Sequence, residues 1–437
     1  MAGGAIARAA IMIPDREKRR PPSGRPGRKP AGLFYGWRVV AGAFAVTFVG
    51  FGCAYAFSAF IQALRTDFTA SLGSVSAVFS IAAFFYFGLG IVSGPLADRW
   101  GARRLAVLGM LLTGLGLAAA ALARNLIEVY AAYGIGIGLG VGCSYVPAVG
   151  AVQRWFSRRR GLASGLAVSG IGVGTLVMPP LASILISAFG WRGAYLVLGA
   201  FAATVGAGMA LLIEDDPRCR GLAPDDDPLA PDAGAAKPAG ASFGEAVRSR
   251  AFVSLYAACL IASFGAFVPF VHLVPYAVGH GVAHSSAVLL VGMIGVGSTA
   301  GRFILGGLAD RIGRRAALLA MFLGMALALG FWGLAASLWP LALFAFVYGV
   351  FYGGWVAVLP AVAMDFFGGR AISGIIGALY TSVAFGTLIG PTAAGFAFDA
   401  SHSYALPIAA SALANFAAAA IAASLLRKEK EVSAPAG

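Results

Sequence analysis

One arginine, Arg302, lies inside an otherwise apolar stretch from Ala287 to Leu308, eight residues before Asp310. On a helix that spacing puts it about 12 Å from the stretch's polar end, at a rise of ~1.5 Å per residue. A charge at such depth in hydrocarbon is costly unless it faces a cavity or a partner. Gly295, Ser298 and Gly306 fall near the same helical face, and small residues mark a surface packed on other helices. The competing arrangement is a lipid-facing arginine that snorkels to the interface. No acidic residue lies deep in any apolar stretch, so the guanidinium's natural counter-ion is a ligand carboxylate, which it grips through two parallel hydrogen bonds.

Other polar groups come out at similar depth. Tyr145 precedes Arg154 by nine residues, which places a phenol donor level with Arg302 in a different stretch. Tyr86 and Tyr380 also fall near mid-depth. His272 lies between Pro269 and Pro275. Its neutral ring tolerates apolar surroundings and imidazole ionises near physiological pH, so it suits carrying or gating a proton. A helix interrupted by prolines also exposes backbone groups to a ligand. Cys53, Cys143, Cys219 and Cys259 are scattered, without metal or redox spacing, and are expected to be packing residues. No phosphate loop, metal cluster or nucleophile constellation is present, so neither a cofactor nor an enzymatic activity is expected.

The elements that must position these groups follow from composition. Of 437 residues 59% are hydrophobic and 11% charged, against roughly 25% charged in soluble domains. Apolar runs long enough to span a bilayer recur along the chain, and twelve are counted. The pattern predicts helices over 38–61, 74–96, 105–123, 127–152, 161–186 and 194–213, then 252–278, 287–308, 316–338, 341–364, 372–398 and 405–426. The expected class is an all-α membrane protein of two six-helix bundles. The expected divisions are a disordered tail at 1–37, bundles at 38–213 and 247–426, a polar linker at 214–246 and a short tail at 427–437.

A net charge of +14 is compatible with a nucleic-acid partner, but the placement of the charges argues otherwise. With both termini cytoplasmic, all but four of the 32 Lys and Arg fall in cytoplasmic segments. Arg65, Arg124 and Arg192 lie outside and Arg302 within a helix. That is the positive-inside bias, and it makes the lipid bilayer the macromolecular partner. The Ala, Gly and Arg-rich composition points to a bacterial inner membrane, and a monomer is expected.

The halves repeat each other. Gly94, Asp98, Arg99 and Gly101 match Gly306, Asp310, Arg311 and Gly313 at a shift of 212 residues, with Arg104 and Arg315 matched less strictly. The same shift carries Gly174, Thr175, Leu176 and Pro179 onto Gly386, Thr387, Leu388 and Pro391. Two separated matches in one register imply a duplicated fold, with a cavity between the halves near the bilayer midplane. In each run glycine permits a tight turn. The aspartate is suited to helix N-termini and to pairing with arginine, tying cytoplasmic helix ends together in one conformation.

The run Gly94–Arg104 and its copy Gly306–Arg315 resemble the signature loop of the major facilitator superfamily, and the resemblance covers nearly the whole chain. Tyr145, Val146 and Pro147, followed by Arg154, Trp155, Phe156, Arg159, Arg160, Gly161, Ala163 and Gly165, together with Gly301 and Arg302, are similar to the branch of monocarboxylate porters and oxalate–formate antiporters. The resemblance implies alternating access, Arg302 as the substrate-anion ligand and Tyr145 as a substrate contact. The oxalate–formate exchanger carries a second cation on helix eleven, whereas residues 374–386 here hold no Lys or Arg, which favours a monocarboxylate. Animal monocarboxylate carriers place an Asp where Ser298 stands and a Lys on helix one, both missing here. Proton symport by another route, with His272 as a candidate, and anion exchange therefore both stay open. So do a drug or sugar transporter of the same fold and a transporter-like sensor.

Overall fold

The structure is a computed structural model, and it describes residues 34–156, 159–222, 224–226, 240–368 and 370–433. Within it, residues from Phe34 onward form one compact unit. The spanning helices are α1 (Gly36–Phe68), α2 (Leu72–Gly88 continued by Gly90–Trp100), α3 (Ala102–Ala121) and α4 (Leu126–Trp155). The long helix Arg160–Phe201 breaks at Gly190, whose φ of 70° and ψ of 170° no helix can hold, and so supplies α5 (160–189) and α6 (191–210). The second half contributes α7 (Arg250–Gly279), α8 (His284–Ile312), α9 (Arg314–Trp332), α10 (Leu338–Phe367), α11 (Ile372–Ser401) and α12 (Ala405–Ser433). With the bent pair joined and the long helix divided at Gly190, twelve spans result among the described residues, in keeping with the hydropathy pattern.

Helix ends follow local chemistry. Ser71, Asn125 and Ser249 each accept a backbone N–H at the start of α2, α4 and α7, and a Ser242–Glu245 capping box opens the short helix Phe243–Arg248. The 41° bend in α2 falls at Leu89, between Gly88 and Gly90 and ahead of Pro95, where glycine and proline weaken the helical ladder. Asp98 and Asp310 were expected in loops. They lie instead in the last turns of α2 and α8, because the chain turns only at Gly101 and Gly313. Those glycines share one left-handed conformation, φ 90° and 91° with ψ 139° and 129°, so the repeat extends to backbone geometry. The helix expected over 316–338 ends earlier, at Trp332, where Gly333 and Leu334 turn away.

Successive spans alternate in direction, so one face of the molecule carries the described ends of the linker, 214–222 and 240–246, and the other the α1–α2 and α11–α12 turns. Contacts between the halves run along α2 with α11 and α5 with α8. Glycines set the spacing at the centre. A Cβ on Gly297 or Gly301 of α8 would meet the backbone of Phe346 or Val350 on α10, and one on Gly349 or Gly353 would meet Ile294 or Ser298 in return. Gly172 and Gly295 make the same close approach between α5 and α8. This packing fixes the rotation of α8, and with it the direction of Arg302.

Candidate functional site: a cationic chamber between the halves

Arg302 faces the interior between the halves, not the outer surface of the bundle. It is 8% exposed and its Nη1 donates to the Val168 carbonyl of α5, 2.6 Å away in the other half. Nε is buried without a partner, and among the described residues no carboxylate lies within ion-pair distance. The edge of the guanidinium that carries Nε therefore holds a donor that no group among the described residues satisfies. An unmade hydrogen bond from a buried charged donor costs more than the ~1–3 kcal/mol of a neutral one, which makes this edge chemically demanding.

Two connected spaces meet at Arg302, and Tyr145 and Tyr380 line both. Towards the linker face lies a vestibule of about 550 Å³, bordered by Gln153, Ser164, Gly165, Gly306, Gly307 and Pro360 among others. Towards the far face the space narrows to a slot of about 20 Å³ walled by Phe51, Tyr55, Phe87, Phe267, Tyr352 and Trp355. The slot has room for about one water-sized group. Tyr145 is braced edge-on by Phe51, with ring centroids 5.1 Å apart, and Tyr380 stacks with Phe87 at 6.1 Å.

Beyond the slot the far face is closed. Tyr55 and Tyr352 approach hydroxyl to hydroxyl at 3.4 Å, and Tyr55 stacks on Phe270 at 4.7 Å. Asp399, at the end of α11, accepts the Leu72 and Gly73 N–H groups at 3.0 and 2.7 Å, capping the start of α2 in the other half. His272 sits in the same seal, fully buried, its Nε2 against the Pro391 carbonyl at 2.8 Å and the Ser76 hydroxyl at 3.5 Å, and its Nδ1 3.4 Å from Tyr404. The molecule is thus open to the linker face and shut at the other.

The structure brings Arg302, Tyr145 and Tyr380 together and leaves the other sequence candidates apart from them. Tyr86 does not line the chamber; it packs behind Phe51 and Phe87, at 5.4 and 4.6 Å between rings. Ser298, 3% exposed, has its backbone in the α8–α10 contact at Gly353, and its buried hydroxyl has no hydrogen-bond partner. His272 belongs to the far-face seal. Of the loop residues, Gly306 borders the vestibule, Arg99, Arg104 and Arg311 are exposed, and Arg315 lies over the Phe366 ring at 4.0 Å. Gly94 makes only ordinary contact with Val146, and the side chains of Asp98 and Asp310 lie outside the described residues. The tail expected at 1–37 lies outside them up to residue 33, as does Cys219's side chain; Cys53 and Cys259 are buried thiols and Cys143 is partly so. Sequence reasoning missed Asp399 and the aromatic wall of Tyr55, Phe267, Tyr352 and Trp355.

Comparison with known proteins decides the family. The model of the Major Facilitator Superfamily matches residues 42–311 and 289–437, nearly all of the chain. The chain belongs to that superfamily. This major facilitator is 32% identical over 388 residues to monocarboxylate transporter 11 of Mus musculus, covering 85% of this chain and 83% of the relative. It is 29% identical over 396 residues to monocarboxylate transporter 12 of Rattus norvegicus, covering 85% and 81%. A solved structure of a bacterial homolog of the human lysosomal transporter Spinster, inward-facing and unoccupied, superposes with a TM-score of 0.67 at 18% identity, covering 91% of this chain and 97% of the other. The chain is accordingly a multi-pass membrane transporter and not an enzyme.

Proposed function

We propose that this transporter carries small organic anions, monocarboxylates first, by alternating access around Arg302. The observation that carries the reading is a buried guanidinium whose Nε has no partner, in a chamber where no carboxylate among the described residues neutralises it. One unneutralised charge suits one carboxylate. The other cation bordering the vestibule, Arg314, is already paired with Asp365 at 2.7 Å. Tyr145 and Tyr380 supply donors beside Arg302, and the aromatic slot receives no more than a methyl-sized end of the substrate, the rest lying in the vestibule. The monocarboxylate transporters among its relatives support the same class.

In this reading both termini are cytoplasmic and the vestibule opens to the cytoplasm, consistent with the placement of the basic residues. The bundles at 38–213 and 247–426 rock about the site in a bacterial inner membrane, and the chain acts as a monomer. The Gly94–Arg104 and Gly306–Arg315 turns close the cytoplasmic side when the far side opens. His272 acts at the far-side seal and not on the substrate, which favours anion exchange over histidine-borne proton symport. A thermal-shift screen of purified protein against lactate, pyruvate and acetate, followed by counterflow in proteoliposomes, tests the reading. Flux of sugars or cationic drugs with no response to carboxylates would overturn it.

A further inference from the structure

The far face holds a second cationic space, separate from the Arg302 chamber. A crevice of about 240 Å³ lies on the seam between the halves. The first half supplies Ser58, Gln62, Arg65 and Leu72; the second supplies Pro275, His284 and Tyr404. Arg65, in the last turn of α1, has its Nε buried with no hydrogen-bond partner. The carboxylates around it are engaged elsewhere. Asp67 pairs with Arg192 at 2.7 Å, and Asp399 gives one oxygen to each of the Leu72 and Gly73 N–H groups. The crevice therefore offers an unsatisfied guanidinium donor, an amide and an imidazole in a space far larger than one water requires.

We propose that this crevice is a second organic-anion site, taking a small carboxylate of the transported class on the far face. The ligand class rests on the reading of the central site; the cavity and its open donor do not. Because the lining comes from both halves, a bound carboxylate touches both only while the far-side gate is closed. It therefore binds the cytoplasm-open state more tightly than the other state and shifts the population towards it. Carboxylate at the far side would then slow the carrier's return to that side, a control exerted by the transported class on its own carrier.

The test separates this site from the central one by removing Arg302. Purified Arg302→Ala protein in nanodiscs is titrated with pyruvate, and with phosphate at matched ionic strength, while thermal unfolding is followed. The expected result is continued stabilisation by pyruvate, with apparent affinity weakened about tenfold or more when Arg65→Gln is added, the loss of a charge-assisted hydrogen bond. His284→Ala in the same background, altering the other half's wall, is expected to weaken binding as well and guards against a folding defect peculiar to Arg65→Gln. No pyruvate response in Arg302→Ala, an undiminished response with both second substitutions, or phosphate matching pyruvate would each overturn the assignment. Since no step depends on transport, these outcomes are distinct from failure of the central reading, which shows as unaltered counterflow in Arg302→Ala alone.

Discussion

Replacing Arg302 tests the central claim, and the structure sets the size of the effect. In Arg302→Ala the substrate carboxylate loses the guanidinium charge and its hydrogen bonds to it, including that from the unpaired Nε. Removing one partner of a buried, hydrogen-bonded charge pair costs ~2–5 kcal/mol, so apparent affinity should fall about 30-fold to several thousand-fold. Arg302→Lys is the more discriminating variant. Lysine keeps the charge and can still donate to the Val168 carbonyl, but it has no planar fork for two parallel bonds. Loss of one charged hydrogen bond, ~1.5–3 kcal/mol, predicts a defect of about ten- to hundredfold, between wild type and Arg302→Ala.

The assay is counterflow of labelled pyruvate into proteoliposomes with matched protein content, reading KM and maximal rate separately. Expression and melting temperature serve as controls, because the Val168 contact ties the two halves together and its loss alone would lower stability. The graded order of wild type, Lys and Ala is the signature of a carboxylate ligand. Wild-type flux in Arg302→Ala would refute the reasoning. A Lys variant indistinguishable from wild type would point to a structural role through Val168 instead.

Further outcomes follow from the same geometry. Tyr145→Phe should raise the KM for pyruvate by up to about tenfold, the worth of one hydrogen bond, whereas Tyr86→Phe, outside the chamber, should leave it unchanged; the counterflow assay measures both. Asp399→Ala removes a cap worth ~0.5–2 kcal/mol and should raise the far-side-open population about two- to thirtyfold, read as labelling of a cysteine introduced at Ser58 by an impermeant thiol reagent. Gly301→Val drives a branched side chain into the Val350 backbone of α10; overpacking of ~1–3 kcal/mol should lower the melting temperature and displace Arg302. Hydrogen bonds from Arg220 and then Arg103 hold the Glu214 carboxyl below its usual range against the opposing effect of burial. That stability is present above the unfolded carboxylate pKa and is lost as pH falls through the depressed folded value, so Glu214→Gln should flatten the acid limb of a melting-temperature profile.

The sequence disclosed depth well and rotation poorly. Arg302 was legible because a lone charge in a long apolar run has few physical explanations, and counting residues placed Tyr145 and Tyr380 level with it. Tyr86 and Ser298 have suitable depth but line neither space; Tyr86 packs on Phe51 and Phe87, and Ser298 sits at the helix contact with Gly353. When a helix is apolar on every side, periodicity no longer tells which face meets a cavity. Tyr352 and Trp355 were passed over for that reason. Asp399 lay just past an apolar run and looked like a solvated end; its partner is a backbone N–H 326 residues away, which leaves no side-chain pattern to find. The charges of Asp98 and Asp310 suggested loops, yet the helices run on until the glycines that can adopt positive φ.

The seams between the halves explain how one cation can serve both binding and movement. The far-face closure consists of a few polar contacts across the seam, Asp399 on two N–H groups and His272 beside the Ser76 hydroxyl, over aromatic packing. Each polar contact is exchanged for water when the face opens, so its net worth is only ~1 kcal/mol or somewhat more with a charge. Such a gate holds without being permanent. Arg302 crosses the centre through Val168, and its Nε stays without a partner until a carboxylate takes it. A ligand that also touches Tyr145 on α4 and Tyr380 on α11 would join the halves at the pivot, away from either gate. It would neutralise a buried charge that the empty carrier must otherwise move through its occluded form. If the empty carrier crosses more slowly for that reason, flux is fastest with anion on both sides at levels that leave the far-face crevice unfilled, and the charge that selects the substrate also sets the preference for exchange.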